Sequence, residues 1–376
     1  MEKSGINFLH DDKCAYILDI KLLKILHSHF LFNTCSQFDF FKVNRSEILP
    51  KVLVSAHCSL LKLLSDTGDF NSIKKYLPID STTNPSLILS ACKLPQYSHL
   101  LDSAIQYAKK ERQTLNEQIE LALERIFVLF GCEILKIVPG RVSTEVDARY
   151  SFNVQKQIEI ACRLISMYEE LGFSKERILI KLSSTWEGIK AAKILESQYG
   201  IHCNLTLMFS FYQAIACAQA NVTLISPFVG RVLDWYITKY GKKEYTRHND
   251  PGVNLVTRIY NYYKFHGYKT QIMGASFRNV EQILGLVGCD LLTISPSLLE
   301  ELSKMSEVPS LCLTVEKAQT SYDHSYQSDE LLTEEEFRWQ MNEDEMANDK
   351  LTDGIRRFTN DALILKDLIK TRMEQQ

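Results

Sequence analysis

From about residue 51 onward, short apolar runs alternate with longer amphipathic stretches. Runs rich in Leu, Ile and Val predict strands, and apolar positions spaced three and four apart predict helices. The predicted strands are Leu60–Leu64, Pro78–Ser81, Glu133–Val138, Arg177–Leu182, His202–Met208, Val222–Ser226, Thr270–Met273 and Leu291–Ser295. Helical patterns fall between most of them, at Pro85–Cys92 with Tyr97–Lys110, Leu115–Phe130, Val154–Leu171, Ile189–Tyr199, Phe211–Ala220, Leu255–Phe265, Val280–Val287 and Pro296–Lys304. Strands alternating with helices over such a length predict a single α/β domain, a (β/α)8 TIM barrel. Ser306–Asp329 is polar and reads as a loop, and Glu334–Arg338 and Met346–Glu374 read as additional C-terminal helices. The expected division is an N-terminal extension over residues 1–50 and a barrel with its C-terminal helices over 51–376. No glycine-rich phosphate loop follows the first strand, which argues against a dinucleotide-binding fold.

One run breaks the apolar pattern. Ile178-Leu179-Ile180-Lys181-Leu182 reads as a strand covered on both faces, with a lysine in its middle. Period-two alternation puts Leu179, Lys181 and Ser183 on one face and Ile178, Ile180 and Leu182 on the other. A desolvated lysine is costly, and burial favours its neutral form, which is a nucleophile. A lone lysine in such a run more often reaches water or pairs with a carboxylate, so the rest of the chain must decide. Ser184 or Thr185 then stands where a helix cap is needed.

Composition narrows the class. The chain has 376 residues, 45% hydrophobic and 24% charged, as expected of a globular protein with a sizeable core. A net charge of -3 gives no reason to expect a nucleic-acid or anionic-membrane partner. The ten cysteines show neither a CxxC pair nor metal-like spacing with histidine. They suit a reducing compartment, where Cys92, Cys203 and Cys289 read as buried core residues, with a reactive thiol among them as the alternative. Tyr16–Phe32 carries Asp19, Lys21, Lys24, His27 and His29, too polar a segment to span a bilayer, and a cytoplasmic protein is expected.

In a barrel of this kind the chemistry gathers at the C-terminal ends of the strands. Those ends are polar here. The first strand runs into Asp66 and Asp69, the second into Thr82 and Asn84, and the third region into Arg141, Ser143, Glu145 and Asp147. Asn204 and Thr206 share one parity of the fifth strand, the sixth leads to Ser226, Phe228 and Arg231, and the seventh to Arg278. An amine beside carboxylates is a kit for Schiff-base chemistry on a carbonyl, and arginine offers a donor fork that fits a phosphate. Each residue also has a plainer reading. Asp66, Asp69 and Asn84 suit helix caps. Glu145 or Asp147 can pair with Arg141 or Arg149, and Arg231 and Arg278 suit surface charges. The cluster Lys350–Arg357 reads as solvated surface.

These stretches together resemble the transaldolase family. The matching segments are Ser65–Phe70, Ser81–Leu89, Ile137–Arg149, Arg177–Gly188, Ile201–Leu207, Leu224–Tyr236, Met273–Asn279 and Glu336–Phe358, so the resemblance runs from about residue 58 to the C-terminus. It implies a (β/α)8 barrel, commonly a homodimer, that needs no metal or organic cofactor. It implies that Lys181 forms a Schiff base with C2 of a ketose phosphate. Glu145 then relays a proton through a water held with Thr206, and Asp66 deprotonates the C4 hydroxyl so that the C3–C4 bond breaks. Asn84, Ser143 and Asn204 would hold the three-carbon enamine, Thr82 would stand beside the first acid, and Ser226, Arg231 and Arg278 would bind phosphate. The implied reaction moves dihydroxyacetone from sedoheptulose 7-phosphate to glyceraldehyde 3-phosphate, giving erythrose 4-phosphate and fructose 6-phosphate. Phe228, where related fructose-6-phosphate aldolases have tyrosine, points to transfer rather than simple cleavage. A barrel without activity, serving as a binding partner, would be favoured by loss of Lys181, Glu145 or Asp66, and all three are present.

Overall fold

The computed structural model describes residues 63–66, 73 and 78–375, apart from 306–308, 325 and 327–330, all within the compact unit Cys58–Gln376. The predicted extension over residues 1–50 lies outside the described residues, and of Leu63, Ser65 and Asp66 only the backbone is described. Eight strands close into a barrel in sequence order. They are β1 (Leu63–Asp66), β2 (Ser81–Thr82), β3 (Val142–Glu145), β4 (Ile178–Ser183), β5 (Cys203–Met208), β6 (Leu224–Pro227), β7 (Gln271–Gly274) and β8 (Leu291–Ile294). Every neighbouring pair is parallel, and β8 returns to β1.

The parity expected of β4 holds. Leu179 joins Leu64, Leu224, Met273 and Leu291 in a buried apolar layer inside the barrel, while Ile178, Ile180 and Leu182 pack into the core between strands and helices. Lys181 and Ser183 therefore point inward above that layer.

Around the barrel lie α1 (Pro85–Cys92), α2 (Ser98–Glu111), α3 (Leu115–Leu135), α4 (Val154–Glu170), α5 (Trp186–Ile194), α6 (Phe211–Gln219), α7 (Gly230–Tyr240), α8 (Pro251–Phe265), α9 (Val280–Leu284) and α10 (Pro296–Ser303). The chain ends in α11 (Val315–Ser321), α12 (Glu334–Glu343) and α13 (Glu345–Glu374). Thr185 caps α5, accepting from the Gly188 amide at 2.9 Å.

Two sequence expectations fail, each for a physical reason. Glu133–Val138 is not a strand. A capping box at Thr114 and Glu117 starts α3, and Phe127, Phe130, Gly131 and Ile134 keep one buried face to its end, so Glu133–Leu135 is its last turn. The third strand is Val142–Glu145 instead. Its polar Ser143, Thr144 and Glu145 are all buried, so its burial does not show as an apolar run. Helix α7 went unpredicted, and α11 lies inside the expected loop, where a Thr314 cap and buried Ala318 support it.

α13 is amphipathic along its length, with Gly354, Phe358, Ala362, Leu365, Ile369 and Met373 buried at helical spacing. It packs against α1, α3, α7 and the end of β5, so it runs across the strand-end mouth of the barrel. Contacts of Asp361 with Ser86, Lys366 with Glu120 and Arg372 with Asp102 fasten it there.

The wall behind β3 is tight. Fully buried Tyr168 of α4 shares a 2.6 Å hydrogen bond with Thr144, next to Glu145. A Cβ on Gly131 would lie 1.7 Å from the Tyr168 hydroxyl oxygen. Gly131→Ala should therefore destabilise the fold by about 1–3 kcal/mol, as overpacking does. In a Tyr168→Phe background, which removes the nearest atom, the same change should cost less. Urea unfolding of the four proteins in this cycle measures the coupling, and equal costs in both backgrounds would contradict the packing argument.

Candidate active site

Strand register assembles the site. Glu145 of β3 pairs with Lys181 of β4, and Lys181 in turn with Asn204 of β5. The Lys181 amine lies 3.5 Å from a Glu145 carboxylate oxygen and donates to the Thr83 carbonyl at 3.2 Å. Their side chains are only 6% and 2% exposed, so this ion pair is shielded from solvent. Both Glu145 oxygens and the Thr206 hydroxyl are buried without a hydrogen-bond partner among the described residues. β5 carries a register shift between Leu205 and Met208, and Leu207 has a left-handed φ of 52°. Such a bulge re-aims side chains, and it falls at Thr206.

Burial pushes the Glu145 carboxyl up to about 7, against the opposing pull of Lys181. A carboxyl near that value can both give and take a proton at neutral pH.

Below the mouth, three hydroxyl and amide groups form a chain. Asn204 donates to Ser143 at 3.0 Å, and Ser226 donates to the Asn204 carbonyl at 2.5 Å. All three are essentially inaccessible. The structure thus joins Ser226 to the Asn204 cluster. Thr82 stands in register with Asp66, as expected, and its hydroxyl meets that of Thr293 at 2.8 Å. The Asp66 backbone closes β1, and its side chain lies outside the described residues. Asn84 caps α1 by accepting from the Leu87 amide at 3.0 Å, which employs its oxygen and leaves its amide nitrogen as a donor. Asp147 pairs with Arg149 and Arg141 with Asp80, so neither takes Glu145.

The two predicted phosphate arginines differ. Arg278 is half exposed and forms a forked ion pair with Asp234. Arg231, on the first turn of α7, has its Nη1 buried with no partner among the described residues. Burial first, then the neighbouring charges of Arg278 and Arg357, hold its guanidinium below the ordinary arginine value. Arg231 lines a cavity with Ser86, Arg356, Arg357, Asn360 and Asp361. Arg356 and Arg357 are exposed, as the sequence suggested, yet they face this cavity, a role that sequence reasoning missed. It also missed Ser276, whose φ of 60° is unusual for a residue with a side chain. The Ser276 carbonyl accepts from the Gly230 amide at 2.9 Å, beside Arg231. A Cβ on Gly230 would lie 2.4 Å from that oxygen, which is why α7 begins with glycine.

Phe228 is buried against Phe209, edge to face, at 5.4 Å. Among the described residues no group of three or more His, Cys, Asp or Glu is placed to hold a metal ion. Cys92, Cys203 and Cys289 are buried as expected. Burial raises all three thiols, those of Cys92 and Cys289 to about 12, which suits packing rather than reactivity.

A closed parallel barrel holding a buried amine and carboxyl at its strand ends defines an α/β-barrel enzyme. Residues 63–369 match the model of the Transaldolase/Fructose-6-phosphate aldolase family, and the chain belongs to that family. It is 57% identical over 311 residues to a transaldolase of Rattus norvegicus, covering 83% of this chain and 91% of the relative. It is 56% identical over 313 residues to a transaldolase of Saccharomyces cerevisiae, covering 83% and 92%. To a probable transaldolase of Drosophila melanogaster it is 56% identical over 314 residues, covering 83% and 93%.

The raised Glu145 carboxyl makes a pH prediction. Below pH about 4.5 the group is protonated in both the folded and unfolded chains. Between about 4.5 and 7 it is protonated only when folded, so its contribution to stability falls as pH rises through that window. The loss is on the order of 3 kcal/mol. Glu145→Gln should lack this segment, so its stability relative to the parent should climb between pH 5 and 8. Unfolding midpoints at several pH values check this, and parallel curves would show that Glu145 titrates normally.

Proposed function

We propose that this chain is a transaldolase that moves a dihydroxyacetone unit between sugar phosphates through a Schiff base on Lys181. The observation that carries this reading is the buried Lys181–Glu145 pair, with the unpartnered Thr206 hydroxyl on the neighbouring strand β5. The neutral Lys181 amine attacks the C2 carbonyl of a ketose phosphate. A water held between Glu145 and Thr206 relays a proton to the carbinolamine hydroxyl, which leaves as water. Asp66, at the end of β1, then takes the C4 hydroxyl proton. The C3–C4 bond breaks, and its electron pair flows into the protonated imine to give an enamine on Lys181. The aldose phosphate departs, and the enamine adds to the aldehyde of the acceptor before hydrolysis frees the product. The imine serves as the electron sink, so this scheme requires no cofactor or metal.

Asn84, Ser143 and Asn204 hold the hydroxyls of the three-carbon unit, with Ser226 fixing the Asn204 amide and Thr82 set beside Asp66. Arg231 and Arg278 bind the phosphate, Arg231 with the stronger claim because its Nη1 is buried and free of a carboxylate. The donor in this scheme is sedoheptulose 7-phosphate and the acceptor glyceraldehyde 3-phosphate, with erythrose 4-phosphate and fructose 6-phosphate as products. Phe228 favours transfer over aldol cleavage, since a buried phenyl ring brings no hydroxyl to help water release the enamine.

The same reading takes the enzyme as a cytoplasmic homodimer. The cytoplasmic part accords with seven described cysteines that are all unpaired. Residues 1–50 are taken as an extension, since the family match begins at residue 63.

Mixing the protein with fructose 6-phosphate, reducing with borohydride and mapping peptides by mass spectrometry should place a dihydroxyacetone-derived adduct on Lys181. Lys181→Ala should fold, carry no adduct and lose turnover. An adduct on another lysine, or turnover at the parent rate in Lys181→Ala, would overturn the mechanism.

A further inference from the structure

We propose that Phe358, brought to the site by α13, clamps the Arg231 guanidinium in the orientation that receives the substrate phosphate, and so sets the preference for phosphorylated over unphosphorylated sugars. This inference rests on the reading of Arg231 as a phosphate ligand. The guanidinium carbon of Arg231 lies 5.1 Å from the Phe228 ring centroid and 5.5 Å from that of Phe358. A guanidinium in contact with ring faces keeps its N–H donors free at its edges, where a phosphate is met. One of those donors, on Nη1, is buried with no partner among the described residues. Arg278 is held differently, by the Asp234 carboxylate at the surface. A carboxylate at Arg231 would compete with phosphate, whereas rings restrain the side chain without neutralising it.

Both rings are themselves fixed. Phe228 is buried, packs edge to face on Phe209 and bridges to Ala275. Phe358 is 2% exposed and is placed by the docking of α13. One turn before it, Gly354 presses on Leu207, so closely that a Cβ would meet Leu207 Cδ2 at 2.7 Å. One turn after it, Ala362 is fully buried, and the adjacent Asp361 bonds Ser86. Residues four apart share a helix face, so these contacts fix where the Phe358 ring stands. Phe358 is thus a positioning residue acting through Arg231.

The test uses the full chain with Phe358→Leu, which keeps apolar bulk and loses the ring, and Phe358→Tyr, which keeps the ring face. In Phe358→Leu, KM for fructose 6-phosphate and the inhibition constant for inorganic phosphate should both rise about three- to thirtyfold, the span of a guanidinium–ring contact. The value of kcat should stay within about twofold, as expected for loss of uniform binding. The dihydroxyacetone concentration that half-saturates borohydride inactivation, a reaction without phosphate, should not move. Phe358→Tyr should restore parent constants. Phe358→Met serves where the leucine variant does not fold. Equal losses with phosphate-bearing and phosphate-free ligands, or no loss with either, would overturn the proposal and leave Phe358 a core residue. As a second readout, Arg231→Lys alone should give the phosphate-specific loss, and adding Phe358→Leu should deepen it little. Multiplying losses would mean that the two residues act independently. If Arg231→Ala leaves phosphate affinity unchanged while Lys181 still traps, the phosphate assignment itself has failed rather than the clamp.

Discussion

The structure turns on a charge pair held inside a closed barrel. Lys181 and Glu145 face each other across the β3–β4 register, shielded from water by the apolar layer below and by α13 across the mouth. Desolvating an amine and a carboxyl is costly, and at 3.5 Å their attraction offsets only part of that cost. Burial pushes the Glu145 carboxyl up to about 7, against the pull of Lys181. A carboxyl at that value can give or take a proton at ordinary pH.

The surrounding polar residues divide by whether they are satisfied. Ser143, Asn204 and Ser226 bond one another, and Thr82 bonds Thr293. Such a network is rigid and presents fixed donors and acceptors. The Glu145 oxygens, though beside the Lys181 amine, and the Thr206 hydroxyl are buried without a hydrogen-bond partner among the described residues, an arrangement that is costly unless a water or reacting group completes it. Strain gathers nearby as well. Leu207 and Ser276 adopt left-handed backbone, one following Thr206 and the other beside Arg231. Non-glycine residues hold such conformations only where their surroundings enforce them. Gly354 pressing on Leu207, and Gly230 donating to the Ser276 carbonyl, are those surroundings.

Much of this was readable from sequence because most of the barrel follows simple periodicity. The β4 run shows its strand type, its parity and its misplaced lysine at once, and Thr185 caps the next helix as its position suggests. β3 escaped because burial there depends on hydrogen bonds rather than apolar side chains. Val142-Ser143-Thr144-Glu145 is polar in composition and interior in fact, while the apolar Ile134 and Leu135 that drew the strand prediction end a helix. The amine end of the site was legible for the same reason that it is rigid, since register between adjacent strands fixes it. The arginine end was not. Arg356, Arg357 and Phe358 are remote from Arg231 in sequence, and only the path of α13 brings them to one cavity and one ring contact.

That difference bears on how the two ends of the site respond to local opening. Lys181, Glu145 and Asn204 are locked by backbone hydrogen bonds on both sides within a barrel that has no free edge. α13 is attached by an apolar stripe and by ion pairs that are partly exposed, such as Arg372 with Asp102 and Lys239 with Glu345. Partly exposed pairs add little stability, so the helix depends mainly on its buried face. Elements held this way open at lower free energy than the barrel core. The amine end of the site is therefore fixed by strand register, and the Arg231 end by the docking of α13.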